Sequence, residues 1–416
     1  MIAKRTVRKT IKQENISIED ISKESIDNLK EQINKQIDDP RQKKKKTYKI
    51  WDIVITVFLA VIANYNDWDD IVVFAKSNYK FLRKYLKMTG GIPCSKTYER
   101  IISCIDSSQL ESICLFFLTD IIGIKKKKMR DIINIDGKVD KSSSYLKLNE
   151  NGDVEAVKSL NVLNVLNAYS NQYGICLASE KIEDKTNEIT AFPTIIDRLN
   201  IRNKIIAVDA INTQKENCTI AKKKRGDYCF AVKENQPNLH RDIVDYFDEE
   251  TLKELSKHSE NYKKTIETRG NETIIYECYQ TTDVDWYFEK KLWTGLKSIG
   301  VIKKIFDNPY NKNKQTEYRY YISSLPLDVN LFYNCIRCHW SVENKLHWHL
   351  DFTFKQDDNT TVDKEALLGL QIIKKIALGI LNPIKTKQKI SMNKLRLQIS
   401  FHVESEIAKI FQFYAR

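Results

Sequence analysis

Three acidic side chains stand out by type and position. Asp136 follows the apolar run Ile132-Ile133-Asn134-Ile135, and Asp209 follows Ile205-Ile206-Ala207-Val208. Both runs have the length and β-branched content of buried strands. Each acid therefore stands at the C-terminal end of a strand. Adjacent strands would set the two carboxylates side by side at the edge where open α/β sheets bind ligands. Two close carboxylates repel and need a cation, and hard oxygen donors suit Mg²⁺ with water and phosphate. An Asp at a strand end can simply cap a turn, which suffices for either residue alone; the pair, in a basic chain, points to metal. Glu343 is the third acid that a two-metal phosphoryl-transfer site needs. It lies at the centre of Cys335-Ile336-Arg337-Cys338-His339-Trp340-Ser341-Val342-Glu343-Asn344-Lys345-Leu346-His347-Trp348. On one helix, Cys335, His339, Glu343, His347 and Asp351 recur every four residues and form a slowly rotating polar stripe.

The elements that must carry these acids are legible in outline. Ile50 to Ala63 reads as a buried helix, and Asp70 to Leu86 as an amphipathic one. Gly90-Gly91 is a break, after which Ser95 is placed to cap a helix through Ile105. Helix, glycine turn and capped helix suit a DNA-reading helix-turn-helix or an ordinary bundle. From Asp131 the pattern becomes β-β-β-α-β-α-β, a mixed α/β sheet. Its strands are Ile132 to Ile135, Leu160 to Tyr169, Tyr173 to Ser179, Ile205 to Val208 and Tyr228 to Val232. Its helices are Thr190 to Leu199 and Thr213 to Lys224. A helix from Leu239 to Phe247 follows. Residues 262 to 323 alternate and read as a β-rich insertion. Helices then return, at Asp328 to Leu350 and Glu365 to Leu381.

Composition bounds the rest. The 416 residues suggest two or three domains, and 42% hydrophobic with 30% charged residues excludes global disorder. A net charge of +13 favours a polyanionic partner, nucleic acid first. The longest mostly apolar run, Ile53 to Ala63, is too short to span a bilayer, and no membrane partner is expected. No apolar stretch of a secretory signal follows the charged N-terminus, so the nine cysteines are expected reduced. Cys335-Ile336-Arg337-Cys338-His339 matches haem attachment, which needs export; zinc on these residues with His347 and His349 lacks a second cysteine pair. Residues 1–49 end in Lys43-Lys44-Lys45-Lys46. They read as a basic flexible arm on DNA phosphates, or as a solvated tail with one amphipathic helix around Ile16 to Ile37. The Lys125–Lys128 and Lys222–Arg225 runs read as solvated helix ends or loops.

From about residue 50 to 382 the chain resembles the DDE transposases of the ISAs1 family, which include the H-repeat-associated proteins. The likeness rests on ordered blocks. They are Ile135-Asp136-Gly137-Lys138, Asn187-Glu188-Ile189-Thr190-Ala191-Phe192-Pro193, Val208-Asp209-Ala210 with Gln214-Lys215-Glu216, and Gly226-Asp227-Tyr228. Lys233-Glu234-Asn235-Gln236-Pro237, Ile266-Glu267-Thr268-Arg269, Trp293-Thr294-Gly295-Leu296-Lys297-Ser298 and Tyr320 to Pro326 follow, then His339 to Trp348 with Leu350-Asp351. The chain departs from the pattern at Val139-Asp140-Lys141-Ser142 and at Asn164. Where related transposases carry Tyr, Arg and Lys around the glutamate, it has Ile336, His339 and Leu350.

The resemblance implies an α/β fold: an RNase H-like catalytic core with a β-rich insertion, preceded by an all-helical N-terminal domain. The division is then a helical associated domain at 50–124, a catalytic domain at 125–384 with the insertion at about 255–325, and a helical tail at 385–416. Asp136, Asp209 and Glu343 would be the catalytic and metal-binding triad, holding two Mg²⁺ ions for which Mn²⁺ would substitute. The activity would be strand cleavage and strand transfer on the element's terminal inverted repeats and target DNA, by a homodimer or higher multimer, in the nucleoid-associated cytoplasm of a bacterium. Lys138 and Lys233 could neutralise phosphate, and Asn235 and Gln236 could contact DNA. Arg337, His339, Asn344 and His347 share the Glu343 helix and join the candidate DNA-binding residues. Trp340 could stack on an unpaired base, whereas Trp348 reads as core. The rival reading is an inactive or domesticated relic that only binds DNA, against which stands the complete triad.

Overall fold

The computed structural model describes residues 18–42, 46–116, 130–140, 147–149, 154–156, 163–182, 188–269, 272–308 and 311–414. The Lys125–Lys128 run, most of Lys43–Lys46 and residues 1–17 lie outside these. The described part is mixed α/β. Eleven strands are present among the described residues: β1 (Ile132–Asp140), β2 (Lys147–Leu148), β3 (Val154–Ala156), β4 (Leu163–Ser170), β5 (Ile175–Ile182), β6 (Ile205–Val208), β7 (Asp227–Val232), β8 (Tyr262–Arg269), β9 (Glu272–Thr281), β10 (Ser298–Asn308) and β11 (Asn311–Ser323). Nine of them form one sheet in the order β5-β4-β1-β6-β7-β11-β10-β9-β8, and β2 pairs with β3. β1, β6 and β7 are parallel; all other neighbours are antiparallel. The parallel strands are covered on both faces, which is why β6 is the unbroken apolar run Ile205–Val208. The β-rich stretch after β7 prolongs this sheet: β11 pairs with β7 from Tyr320↔Val232 to Ser323↔Cys229.

Helices fill both faces. Before the sheet come α1 (Ile18–Gln36), α2 (Ile50–Ile62), α3 (Trp68–Ser77), α4 (Tyr79–Tyr85), α5 (Ser95–Ser103) and α6 (Ser107–Phe116). Between strands lie α7 (Glu188–Asp197), α8 (Lys215–Lys223), α9 (Pro237–Tyr246) and α10 (Glu249–Leu255), and after them α11 (Val329–Val342), α12 (Lys364–Gln388), α13 (Met392–Phe401) and α14 (Val403–Tyr414). Ile133, Ile135, Ile206 and Val208 pack with α7 residues Phe192 and Ile195 on one face. Ile132, Ile205 and Ala207 pack with α11 residues Phe332 and Ile336 on the other. Helices α1 to α6 share a further core with α12 to α14. α12 is long and apolar enough, by composition alone, to cross a membrane, yet 89% of that stretch is buried inside the fold.

Of the two readings of residues 1–49, the structure has the amphipathic helix expected around Ile16 to Ile37, as α1; its Ile26, Leu29 and Ile33 are buried at helical spacing and dock into the fold. Several other sequence expectations need correction. Asp70 to Leu86 is two helices, α3 and α4, broken at Asn78, whose side-chain amide donates to Phe74 O and competes with the continuing helix. The cap of α5 is Cys94; Ser95 is already its first helical residue. β1 runs through Asp136 to Asp140, because β4 continues to pair with it there after β6 has ended.

Lys374 in α12 is 1% exposed. Burial, then Arg396 nearby, pushes its ammonium down to about 7, against the pull of Asp140, Asp67 and Asp358. The folded pKa is depressed from 10.5, so stability rises as the pH passes from about 7 towards 10.5, and the cost of the buried charge is full below that window. Lys374→Met is therefore expected to be about 2–4 kcal/mol more stable at pH 6. That gain should shrink as the pH approaches 10 in urea unfolding; a gain that ignores pH would refute the buried charge as its cause.

Candidate active site

The parallel register of β1 and β6 ends at Ile135↔Val208, so the next residues in step are Asp136 and Asp209. Beyond Val208 the chain leaves β6 through a tight turn at Ala210–Asn212. Two of the sequence candidates hold that turn. Asn235 Nδ2 donates to Ala210 O (2.6 Å), and Gln236 Nε2 donates to Thr213 O (3.0 Å). Their amides thus brace the turn that follows Asp209.

Glu343 comes from the opposite direction. α11 is fixed to β1 by Asn134 Nδ2, which donates to Cys338 O (2.9 Å). The expected single helix from Asp328 to Leu350 changes character at Glu343. Residues Glu343–His347 and His349–Thr353 are π-helical turns, wider than α and recurrent at functional sites. Most of the polar stripe nonetheless faces the sheet edge. His339 Nε2 lies 2.9 Å from Asp209 Oδ1. His347 Nδ1 lies 3.0 Å from Glu343 Oε2 and 3.6 Å from Asp136 Oδ2. Asp351 Oδ1 accepts from Lys138 Nζ at 2.6 Å. Cys335 departs from the stripe and is buried in the core beneath β6 and β9.

Electrostatics separates the acids. Burial raises the Asp136 carboxyl above its usual range; His347 and His339 oppose this, while Asp209 and Glu343 add repulsion. The hydrogen bond from His339 holds Asp209 below its usual range despite burial, with help from the charges of Lys233 and Arg319. Burial works against a charged His339, but Asp209 and Asp136 outweigh it and its pKa is raised. Burial lowers that of His347. His339 Nδ1 and His347 Nε2 are buried without hydrogen-bond partners.

The donor chemistry fits a hard divalent cation: all three acids offer carboxylate oxygen, and the most buried one stands beside two like charges that a cation would neutralise. As the side chains stand, the histidines occupy these carboxylates, and among the described residues no three acids, histidines or cysteines are gathered closely enough to hold an ion.

The remaining candidates scatter around this edge. The Lys138 side chain is only 9% exposed and committed to Asp351, whereas Lys233 is exposed. Arg337 pairs with Glu267 and lies over the rings of Tyr276 (4.4 Å) and Trp340 (5.5 Å). Arg337, Tyr276 and Trp340, with Arg319, Lys304 and Asn344, line an open cavity of about 360 Å³. Trp348 is not core: it is 44% exposed and stacks on Phe352 at 5.4 Å, because Leu346 and Leu350 take the buried positions of its turn. Two residues at the edge escaped sequence reasoning. Arg319 lies 4.8 Å over the Trp340 ring through the β11 register, for which the sequence carries no signal. Glu188, first residue of α7, lies against Gly137; its signal was the block from Asn187 to Pro193.

Comparison with known proteins gives a consistent result. The family model described as "Transposase DDE domain" matches residues 128–379, and the one described as "DDE_Tnp_1-associated" matches residues 32–118. "H repeat-associated putative transposase YhhI" of Escherichia coli (strain K12) is 33% identical over 351 residues, 83% of this chain and 88% of that protein. "Putative protein YbfL" of the same strain has the same identity and coverage. "Putative transposase YncI" of Escherichia coli O157:H7 is 32% identical over 352 residues, 84% of this chain and 86% of its own length. Among solved structures, a piggyBac transposase synaptic complex with hairpin DNA aligns with 95% of this chain and 79% of its own at 12% identity. Its TM-score is 0.39, from which no residue correspondence follows.

Proposed function

This chain belongs to the DDE transposase family, and from that premise we propose that it cleaves DNA at the ends of its own element and joins them to target DNA. The core would be RNase H-like, spanning about 125–384, with the strands after β7 as its insertion. The helices of 50–124 would be an associated domain, and 385–416 a C-terminal tail. The observation that carries the reading is the β1–β6 register, which makes Asp136 and Asp209 neighbours at the edge that the Glu343 helix crosses.

In this reading Asp136, Asp209 and Glu343 hold divalent cations, Mg²⁺ in the cell, with Mn²⁺ able to substitute. Once bound, these ions would lower the pKa of a water and stabilise the leaving 3′-oxygen. The first step would be attack of a water on the scissile phosphorus, breaking the P–O3′ bond; the freed 3′-OH would then attack a target phosphorus, forming a new P–O3′ bond as the target's own P–O3′ bond breaks and its 3′-OH leaves. Both are in-line phosphoryl transfers that depend on positioning and charge neutralisation. His339 keeps Asp209 ionised and aimed, and Asn235 and Gln236 hold its turn. Lys233 and Arg319 contribute positive potential beside Asp209. The cavity over Trp340, walled by Arg319, Arg337 and Asn344, suits a DNA strand with a base against the ring. The chain would act in the cytoplasm, bound to its DNA as a dimer or higher multimer.

A labelled duplex taken from the gene's own flanks tests this. Nicks with 3′-OH ends, followed by joined products, are expected in Mg²⁺ and Mn²⁺ and not with Asp209→Ala. Binding without cleavage in any divalent ion, Ca²⁺ included, would replace the enzyme with a DNA-binding relic.

A further inference from the structure

Side chains of a strand alternate between its two faces. In β1, Asn134, Asp136 and Lys138 face α11 and the segment after it, where they meet Cys338 O, His347 and Asp351. Ile133 and Ile135 face the core under α7. Gly137 falls on that α7 side, and Glu188 lays its carboxylate against the bare Cα: a Cβ at position 137 would collide with Oε1 and stand 3.0 Å from Cδ. Glycine is what lets a carboxylate come this close to the backbone between Asp136 and Lys138.

Glu188 is half-buried, and among the described residues it has no hydrogen-bond or ion-pair partner. Burial, and then the charge of Asp209, hold its carboxyl above the usual range. An acid in the first turn of a helix is favoured by the helix dipole wherever it points. The dipole does not account for a rotamer that lays the charge on β1 beside Gly137, the residue next to Asp136. A cation shared with these acids does.

We infer that Glu188 is a fourth carboxylate of this site, holding a divalent cation from the face of the sheet opposite Glu343. The inference rests on the proposed role of Asp136 and Asp209. It also gives Gly137 a reason: alanine there would displace Glu188.

Mn²⁺ binding to the full-length chain, measured by calorimetry and by electron paramagnetic resonance of the bound ion, tests it without reference to catalysis. Glu188→Gln, which keeps the shape, is expected to weaken at least one Mn²⁺ by tenfold or more while the melting temperature without metal holds or rises. Glu188→Asp, one methylene shorter, should fall between Gln and wild type. Wild-type affinity in Glu188→Gln beside a weakened Asp209→Asn would overturn the fourth ligand and leave the three acids standing. If Asp209→Asn also binds as wild type does, or if the wild-type chain takes up no Mn²⁺ saturably, the reading of the three acids falls and this inference with it. Glu188→Asp equal to wild type in affinity, with both variants shifted only in melting temperature, would reduce Glu188 to a helix-end charge.

Discussion

Asp136→Asn is expected to lose strand cleavage by about 10³-fold or more and, in the absence of metal, to melt higher than the wild-type chain. The two effects have one origin. Asp136 sits between two other acids, and its carboxylate is kept there against burial and against Asp209 and Glu343. Asparagine has the same shape without the charge, and it surrenders a ligand to the cations; several kcal/mol of transition-state stabilisation is the usual size of such a loss. The stability gain follows from linkage. The folded-state pKa is raised, so the stability tied to Asp136 is full below the unfolded value of 3.8 and is lost as the pH rises through the folded one. At neutral pH that cost is in place, and asparagine removes it. Melting curves at pH 4 and pH 8 should therefore converge for the two proteins at the lower pH. Saturating Mg²⁺ should reverse the order at the higher one, since it stabilises only the chain that binds it. Cleavage within tenfold of wild type would show that Asp136 is no ligand.

What the sequence revealed of this site follows from burial. β1 and β6 are covered on both faces, so β6 reads as an unbroken apolar run and the start of β1 as one interrupted only by Asn134, and the acids that follow them were visible without any structure. The end of β1 was not visible, because Asp136, Gly137, Lys138 and Asp140 carry no apolar signal of their own; what holds them in the strand is pairing with Leu163 to Asn167 of β4, distant in the chain. The four-residue stripe brought out His339, Glu343, His347 and Asp351 together, since period four is nearly the α-helical one. It could not show the change to π-helical turns at Glu343, which depends on which carbonyl each N–H finds. Residue type suggested DNA contact for Lys138, Asn235 and Gln236. The ion pair to Asp351 and the bonds to the Asp209 turn come from segments far away in the chain, beyond the reach of any local pattern. Glu188 lies in the block Asn187 to Pro193, but its approach to Gly137 depends on how α7 sits on β1.

The same dependence on distant partners makes Arg396→Ala the substitution expected to cost most stability, about 3–5 kcal/mol. Arg396 is fully buried on α13. Its guanidinium donates to Val61 O (2.6 Å) at the end of α2, to Asn66 Oδ1 (2.7 Å), and to Thr353 O at the end of the segment that follows Glu343. It also lies 3.9 Å over the Phe354 ring. One side chain thus ties together the N-terminal helices, the C-terminal helices and the support of the third acid. Burial pulls its pKa down to about 9, so the charge is costly, and the three acceptors and the ring are what offset that cost. Alanine would leave those acceptors buried and unpaired around a cavity. Methionine would fill the cavity but not the bonds, and should recover only the packing part. Urea unfolding of the three proteins separates these contributions, and a loss under about 1 kcal/mol for alanine would mean that the acceptors find water instead. Because Thr353 closes the stretch that begins at Glu343, hydrogen exchange of residues 343–353 should quicken in Arg396→Ala even where the sheet stays protected.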